Sequence, residues 1–409
     1  MTRTARRARL VTPQFALVTT AGALYFLSIG MTLPVIPLYV AGPLRGNDLT
    51  IGVAVGAFAV GAVVLRPYAG RLGDRFGRRI LVICGATVVG ISALLYLGAS
   101  NLGLLVGARI VGGLGEAAFF VGAGTMIADL APAKRRGEAI SYWSVAVYVG
   151  LAFGPPIGEA VLAAADYDTV WLVAAAFAFV AAIVALATRD TMTAEGRAAA
   201  LARDEKLPLF HRGALLPGAI LFLGLCGLAG FTELLPGYAR SIGLDDSGPV
   251  FLVYGLLILA IRVVGARLTD WLGPRRAGSW ALTVGAAGLL VIAGFATQVG
   301  LFTGTAIFAA GMCFMYPSML TLALIDIEEV ERASVVGTVS TFFDLSQGLG
   351  ALILGASAAL TSDRGAFVVA AGLALLGLAL LWSGMDRRAR ATNVAVHAYD
   401  ELPEPEPGT

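Results

Sequence analysis

The amino-acid sequence predicts an all-α integral membrane protein, with twelve transmembrane helices in two pseudo-symmetric six-helix halves. Three observations carry the prediction. The first is composition: of 409 residues, 58% are hydrophobic and 14% charged, where a soluble domain has roughly 45–50% and about 25%. The mean hydropathy of +0.82 agrees; so few charges cannot cover a water-facing surface. The second is the number of apolar runs of membrane-spanning length. The third is a repeat of costly residues at one fixed offset.

Each run is judged against the roughly 20 apolar residues that a helix rising about 1.5 Å per residue needs to cross a hydrocarbon core. The first, 14–40, follows a basic N-terminus, is too long for a signal-peptide core and has no small-residue cleavage site after it. Runs 49–69 and 79–98 flank a charged connection. Run 102–128 carries Arg109 and Glu116, and run 138–162 a Gly/Pro cluster. Run 168–188 closes the N-terminal half (residues 1–188). A polar linker (189–213) leads to runs 214–239, 248–268, 277–296, 299–325, 334–360 and 365–385, which make the C-terminal half (214–385). The tail, 386–409, starts basic, ends in Glu401-Leu-Pro-Glu404-Pro-Glu406-Pro, and is expected to be a disordered cytoplasmic segment.

Charge sets the orientation. With the N-terminus inside, 25 of the 29 Lys and Arg fall on inner segments, counting Arg66 and Arg262 as membrane-border residues. Arg45, Arg240 and Arg364 are outside, and Arg109 lies within a helix. By the positive-inside rule, both termini are cytoplasmic and the chain is a multi-pass protein of the cell membrane. The 27 acidic residues nearly balance the basic ones, so nucleic acid is not an expected partner. The three cysteines, in apolar runs, are expected to be inert. Two histidines, His211 and His397, both in cytoplasmic segments, leave no metal site. No cofactor is implied.

A shift of 196 residues lays Arg66, Arg71, Asp74 and Gly77 on Arg262, Arg267, Asp270 and Gly273; it also lays Arg136 on Arg332 and Gly154 on Gly350. Duplicated six-helix units are a common transporter plan, with the substrate path between the halves.

Between the second and third runs stands Gly70-Arg71-Leu72-Gly73-Asp74-Arg75-Phe76-Gly77-Arg78-Arg79. It resembles the G-x-x-x-D-R-x-G-R-R signature of the major facilitator superfamily, and Asp270 and Gly273 belong to its decayed second copy. In such a gate, Asp74 would accept hydrogen bonds from a neighbouring helix N-terminus and from arginines, while Gly70 and Gly77 would permit close approach and a tight turn. Arg109-Ile-Val-Gly112-Gly113-Leu114-Gly115 is similar to the family's R-x-x-x-G-x-G pattern, which is associated with proton-coupled members. Gly150-Leu-Ala-Phe-Gly154-Pro155-Pro156-Ile157-Gly158-Glu159 resembles the antiporter motif G-x-x-x-G-P-x-x-G-G, with Glu159 where the family prefers glycine. Gly150 and Gly154 share a face suited to tight packing, and Pro155 and Pro156 a kink.

Ionisable residues inside a span are costly, about 2.5–3.5 kcal/mol for arginine on insertion scales, and usually mark a pathway. Glu116 stands seven residues beyond Arg109 and shares its face. With no histidine in a span, protons would be carried by carboxylates. Glu116, Glu233 and Asp344 are the candidates, with Glu159 fourth. Tyr25, Phe119, Tyr148, Phe231, Tyr254, Tyr316 and Phe343 are candidates to line a substrate cavity, an aromatic surface suited to varied lipophilic ligands.

The resemblance implies a monomeric secondary transporter, not an enzyme. It looks most like the twelve-span drug/proton antiporter branch, with small molecules, protons and the lipid bilayer as partners. The expected activity is proton-coupled efflux by alternating access. The alternative on the same fold is a proton-coupled uptake symporter or facilitator for a sugar or organic acid. An anion importer would carry several arginines deep in the membrane, and the sequence places only Arg109 there.

Overall fold

A computed structural model describes residues 12–131, 136–193, 198, 210–264, 273–325, 327 and 332–400. Among them are twelve α-helices: α1 (Pro13–Ala41), α2 (Asp48–Phe76), α3 (Arg78–Leu95), α4 (Leu102–Leu130), α5 (Arg136–Ala164), α6 (Tyr167–Leu186), α7 (Arg212–Ser241), α8 (Gly248–Val264), α9 (Pro274–Gly294), α10 (Gln298–Ala323), α11 (Arg332–Leu360) and α12 (Asp363–Asp400). Eleven are long and apolar enough to cross a membrane; the described part of α8 is shorter, and 265–272 lie outside the described residues.

Local chemistry starts the helices. Asn47 caps α2 and exchanges hydrogen bonds with Thr50 in a capping box. Asn101 caps α4, Asp166 caps α6 and Thr297 caps α10, each side chain accepting from a backbone N–H three residues on. α1, which holds the N-terminus at one end of the bundle, fixes a near end; these four caps lie at the far end.

The duplication is visible in the helix boundaries. α3 and α9, α4 and α10, α5 and α11, and α6 and α12 all start 196 residues apart. Gly77 (φ 104°) and Gly273 (φ 73°), also 196 apart, both make the turn into the following helix with a positive φ. Glycine occupies that backbone region without steric cost.

Each six-helix set packs around its own core. In the first, α1 packs on α5 and α6, α2 on α4, and α3 on α4 and α6; in the second, α9 packs on α10 and α12, and α7 on α11 and α12. Trp171, Tyr96 and Val35 are among the buried side chains of the first set, and Phe251, Phe308 and Phe367 of the second. α2 with α11, α5 with α8, and α1 with α7 join the two. Outward-facing apolar side chains such as Ile183 on α6 and Leu376 on α12 are exposed, as suits helices solvated by lipid.

Two expectations change. The last helix continues to Asp400, well past Asp386, where the sequence predicts disorder to begin. The stretch is rich in alanine and arginine, good helix formers, and proline first returns at 403. Of the cysteines, Cys226 and Cys313 are buried but Cys84 is exposed. Most of the linker, and residues 401–409, lie outside the described residues.

Candidate functional site

One set of ionisable side chains meets where the two halves join. Arg66, on α2, is 7% exposed. Its Nη2 donates to Glu116 Oε2 on α4 at 2.8 Å, and its Nε faces Asp344 Oδ2 on α11 in an ion pair. The Phe120 ring, one turn beyond Glu116, lies 5.1 Å from the guanidinium carbon. With both carboxylates ionised, one guanidinium leaves one negative charge in excess, which one proton or one cationic group can neutralise. The sequence brought Glu116 and Asp344 forward but placed Arg66 at the membrane border. α2 runs on to Phe76, past the apolar run ending at 69, and so carries Arg66 inside.

Two of the sequence-selected aromatics border this cluster. The Tyr25 hydroxyl is buried without a hydrogen-bond partner, within electrostatic reach of Glu116 and Arg66, and its ring stacks on Phe119 at 3.7 Å. The Tyr316 hydroxyl pairs with Ser340 Oγ at 3.2 Å, and its ring meets Phe343 edge-on at 5.9 Å. Tyr25, Phe119 and Phe231 are fully buried, and Phe231 packs with Phe251, Tyr254 and Phe308. These rings are packed in the cores of the halves.

Arg109 and Glu116 do share a face, and both meet α2, but they do not pair. Arg109 Nε donates to the Ala54 carbonyl at 3.1 Å and its Nη2 to that of Val55 at 3.3 Å, with the Phe58 ring 4.6 Å away. Seven residues separate Arg109 and Glu116 by about 10 Å along the axis, so each finds a different stretch of α2.

The 196-residue repeat relates Arg66 to Arg262 and Asp344 to Tyr148. Arg262, on α8, lies with its guanidinium carbon 4.7 Å from the centre of the Tyr148 ring on α5. Both contacts bridge the halves, one as an ion pair and the other as cation–π. Arg262 Nη2 is also 3.5 Å from the Cys313 carbonyl. Two arginines therefore lie between the halves that the sequence assigned to the border.

Towards the far end the halves close. Glu159 is buried at 7% exposure and caps α8 across the interface. It accepts from Ser247 N at 3.0 Å and Ser247 Oγ at 2.6 Å, and from Gly248 N. The departure from the motif is thus an inter-half tie. In the related α2–α11 contact, a methyl group on Gly52 would come 2.8 Å from the Ala351 carbonyl oxygen, and one on Gly56 2.7 Å from that of Gly348. Glu233, from α7, sits against Gly52 and Gly355 there. It is 1% exposed, and neither carboxylate oxygen has a hydrogen-bond partner among the described residues. Gly52 lies one turn inside α2, where backbone N–H groups already serve the helix, whereas Gly248 begins α8 with its N–H free to donate.

Part of the loop signature lies among the described residues. A methyl group on Gly70 would meet nothing within 4 Å among the described residues. Arg75 lies over Phe76 at 5.3 Å. Arg78 pairs with Asp129 on α4, its backbone N–H donates to Asp190 at 3.3 Å, and Thr191 Oγ1 donates to Asp129 at 2.6 Å. Arg79 reaches the Leu186 carbonyl at 2.5 Å. The partners Asp129 and Asp190, missed in the sequence, lie 51 and 112 residues from Arg78. The Asp74 side chain and all of Asp270 lie outside the described residues. In the antiporter-like motif, Gly150, Gly154 and Gly158 press on Phe26, Gly30 and Met31 of α1. α5 stays helical through Pro155 and Pro156.

No group of three or more His, Cys, Asp and Glu among the described residues could hold a metal ion. Residues 18–351 match the family model of the Major Facilitator Superfamily. An uncharacterized MFS-type transporter of Salmonella typhimurium (strain LT2) is 28% identical over 89% of this chain and 94% of its own length. Multidrug resistance protein 1 of Bacillus subtilis is 27% identical over 81% and 86%. The quinolone resistance protein NorA of Staphylococcus aureus is 31% identical over 33% of this chain and 34% of its own. Among solved structures, the xylose transporter XylE from E. coli superposes with a TM-score of 0.71 at 15% identity, over 90% of this chain and 98% of that one. The human organic anion transporter MFSD10 gives 0.70 at 20%, over 91% and 100%.

Proposed function

The chain belongs to the Major Facilitator Superfamily and is a multi-pass membrane transporter, not an enzyme, and on that premise we propose that it exports small lipophilic, drug-like molecules in exchange for protons. The observation that carries this reading is the buried Arg66–Glu116–Asp344 cluster, in which one pair is internal to the first half and the other crosses to the second. Alternating access moves the halves against each other. That motion leaves Arg66–Glu116 intact but works on Arg66–Asp344. A proton on Asp344 removes its attraction for Arg66, and a cationic group can take the proton's place, so loading the site and freeing the halves become one event.

With both termini cytoplasmic, the far end faces outward, and the Glu159 and Gly52–Gly355 contacts are the external closure. Protonation from outside releases substrate outward, and deprotonation to the cytoplasm resets the carboxylates. A potential of 100 mV contributes about 2.3 kcal/mol per charge moved. The curated resistance proteins of Bacillus and Staphylococcus support the drug-efflux direction. Glu233 is a further proton-binding candidate on the closed side, and the protein acts as a monomer.

The test uses purified protein in liposomes that enclose a pH-sensitive dye, with a proton gradient imposed. Lipophilic cations, neutral antibiotics, sugars and organic acids are added singly. Proton flux triggered by a lipophilic compound and lost in Asp344→Asn is the expected result. Protons moving together with a sugar or organic acid that accumulates on the alkaline side would overturn the export reading in favour of symport.

A further inference from the structure

We propose that Arg262 is the recognition site for an anionic group, most simply a carboxylate, carried by an otherwise aromatic or apolar substrate; this deepens the transport reading above and rests on it.

The argument starts from the duplication. Arg66 and Arg262 occupy equivalent positions on α2 and α8, each 14 residues inward from the glycine, Gly52 or Gly248, at its far-end contact. They share a depth, about 21 Å from those contacts at helical rise, and both lie between the halves. Their surroundings differ in charge. Arg66 meets two carboxylates. At the positions equivalent to Asp344 and Glu116, the other site has Tyr148 and Met312.

Among the described residues, none forms an ion pair with Arg262. The Tyr148 ring covers one face at 4.7 Å, the Cys313 carbonyl is a long 3.5 Å from Nη2, and Nε is buried without a partner. Neither α8 nor α10 contains an acidic residue. The one α5 carboxylate with a described side chain, Glu159, is engaged by Ser247 and Gly248, 11 residues from Tyr148. A guanidinium kept inside a membrane protein normally has an anionic or fully hydrogen-bonded partner. Here Nε has no hydrogen-bond partner among the described residues, and the guanidinium lies between the halves, the path that the transport reading gives to substrate. A planar carboxylate matches the guanidinium fork, and the ring of Tyr148 suits an aromatic body beside it. Tyr148 belongs to the opposite half, so separation of the halves uncovers the guanidinium face. With both of its carboxylates ionised, the Arg66 cluster accepts an amine on the same substrate, and zwitterionic aromatic molecules satisfy both sites.

The experiment measures fluorescence enhancement of dansylglycine and of its methyl ester on the purified full-length protein. These probes differ only in the carboxylate. Wild type is expected to bind the acid at least tenfold more tightly than the ester. Arg262→Gln is expected to remove that preference while ester affinity stays within about twofold, which also shows that the variant is folded; Arg262→Lys is expected to retain part of it. Equal binding of acid and ester by wild type, undiminished preference in Arg262→Gln, or binding of neither probe overturns the proposal. The vesicle experiment separates the two readings. Proton exchange without carboxylate preference sinks the anion site alone. Carboxylate preference without any proton exchange sinks antiport and leaves the site standing.

Discussion

Arg66 and Asp344, separated by 278 positions in the chain, form a buried ion pair that ties the first six-helix half to the second. Arg66 is held on its other side by Glu116 at 2.8 Å. Removing one partner of a buried pair typically costs about 3–5 kcal/mol, because the other charge is left uncompensated. Arg66→Gln strands two carboxylates at once. It should lower the detergent melting temperature far more than Asp344→Asn does, whereas Asp344→Asn should abolish proton-driven exchange with most of the fold retained. Equal thermal losses in the two variants would contradict the assignment of Asp344 as the releasable partner.

Glu159 offers a test of the far-end closure. Its carboxylate accepts from Ser247 and Gly248 across the halves, and hydrogen bonds to charged groups contribute about 1.5–3 kcal/mol each. Glu159→Ala should shift the population towards a form open at that end. A cysteine at Ala152, beside Gly255, in a background without native cysteines, should then react with an impermeant maleimide about tenfold faster. An unchanged rate would show that the tie does not hold the closure.

Two glycines of the motifs should behave oppositely. A methyl group on Gly154 would lie 2.6 Å from the Gly30 Cα of α1, while one on Gly70 meets nothing within 4 Å. Gly154→Val should reduce folded yield and efflux severely. Gly70→Ala should change the melting midpoint by no more than the equivalent of about 0.5 kcal/mol.

Gly77 and Gly273 test the repeat at the level of the backbone. Their φ values of 104° and 73° are unfavourable for residues with a Cβ. Alanine at either position should destabilise by about 1–3 kcal/mol, read as a lower melting temperature in detergent. A large loss at one position and none at the other would mean that the two turns are not equivalent.

Glu233 should respond unlike the other acids. Its oxygens lack hydrogen-bond partners, so an isosteric amide gives up no observed bond and avoids burying a charge. Glu233→Gln should match or exceed the wild-type melting temperature at pH 8, where Glu116→Gln and Glu159→Gln fall below it. A marked loss in Glu233→Gln would reveal a partner essential to the fold.

The sequence alone determined the number and approximate ends of the helices and the 196-residue repeat. Each depends on local matters: hydropathy over a membrane thickness, a charge or a turn glycine recurring at one offset. It also marked Glu116, Glu159, Glu233 and Asp344, since an acid in an apolar run is conspicuous wherever the run folds. Only the tertiary structure decided which charges meet. Arg66 and Arg262 read as border residues because each stands near the end of its apolar run; α2 outlasts its run by seven residues. Glu116 could equally have faced Arg109 on its own helix. The choice of Arg66 instead, the capping of α8 by Glu159, and the absence of any such partner for Glu233 follow from how rigid helices distant in sequence are placed and turned against one another. No local spacing encodes that placement.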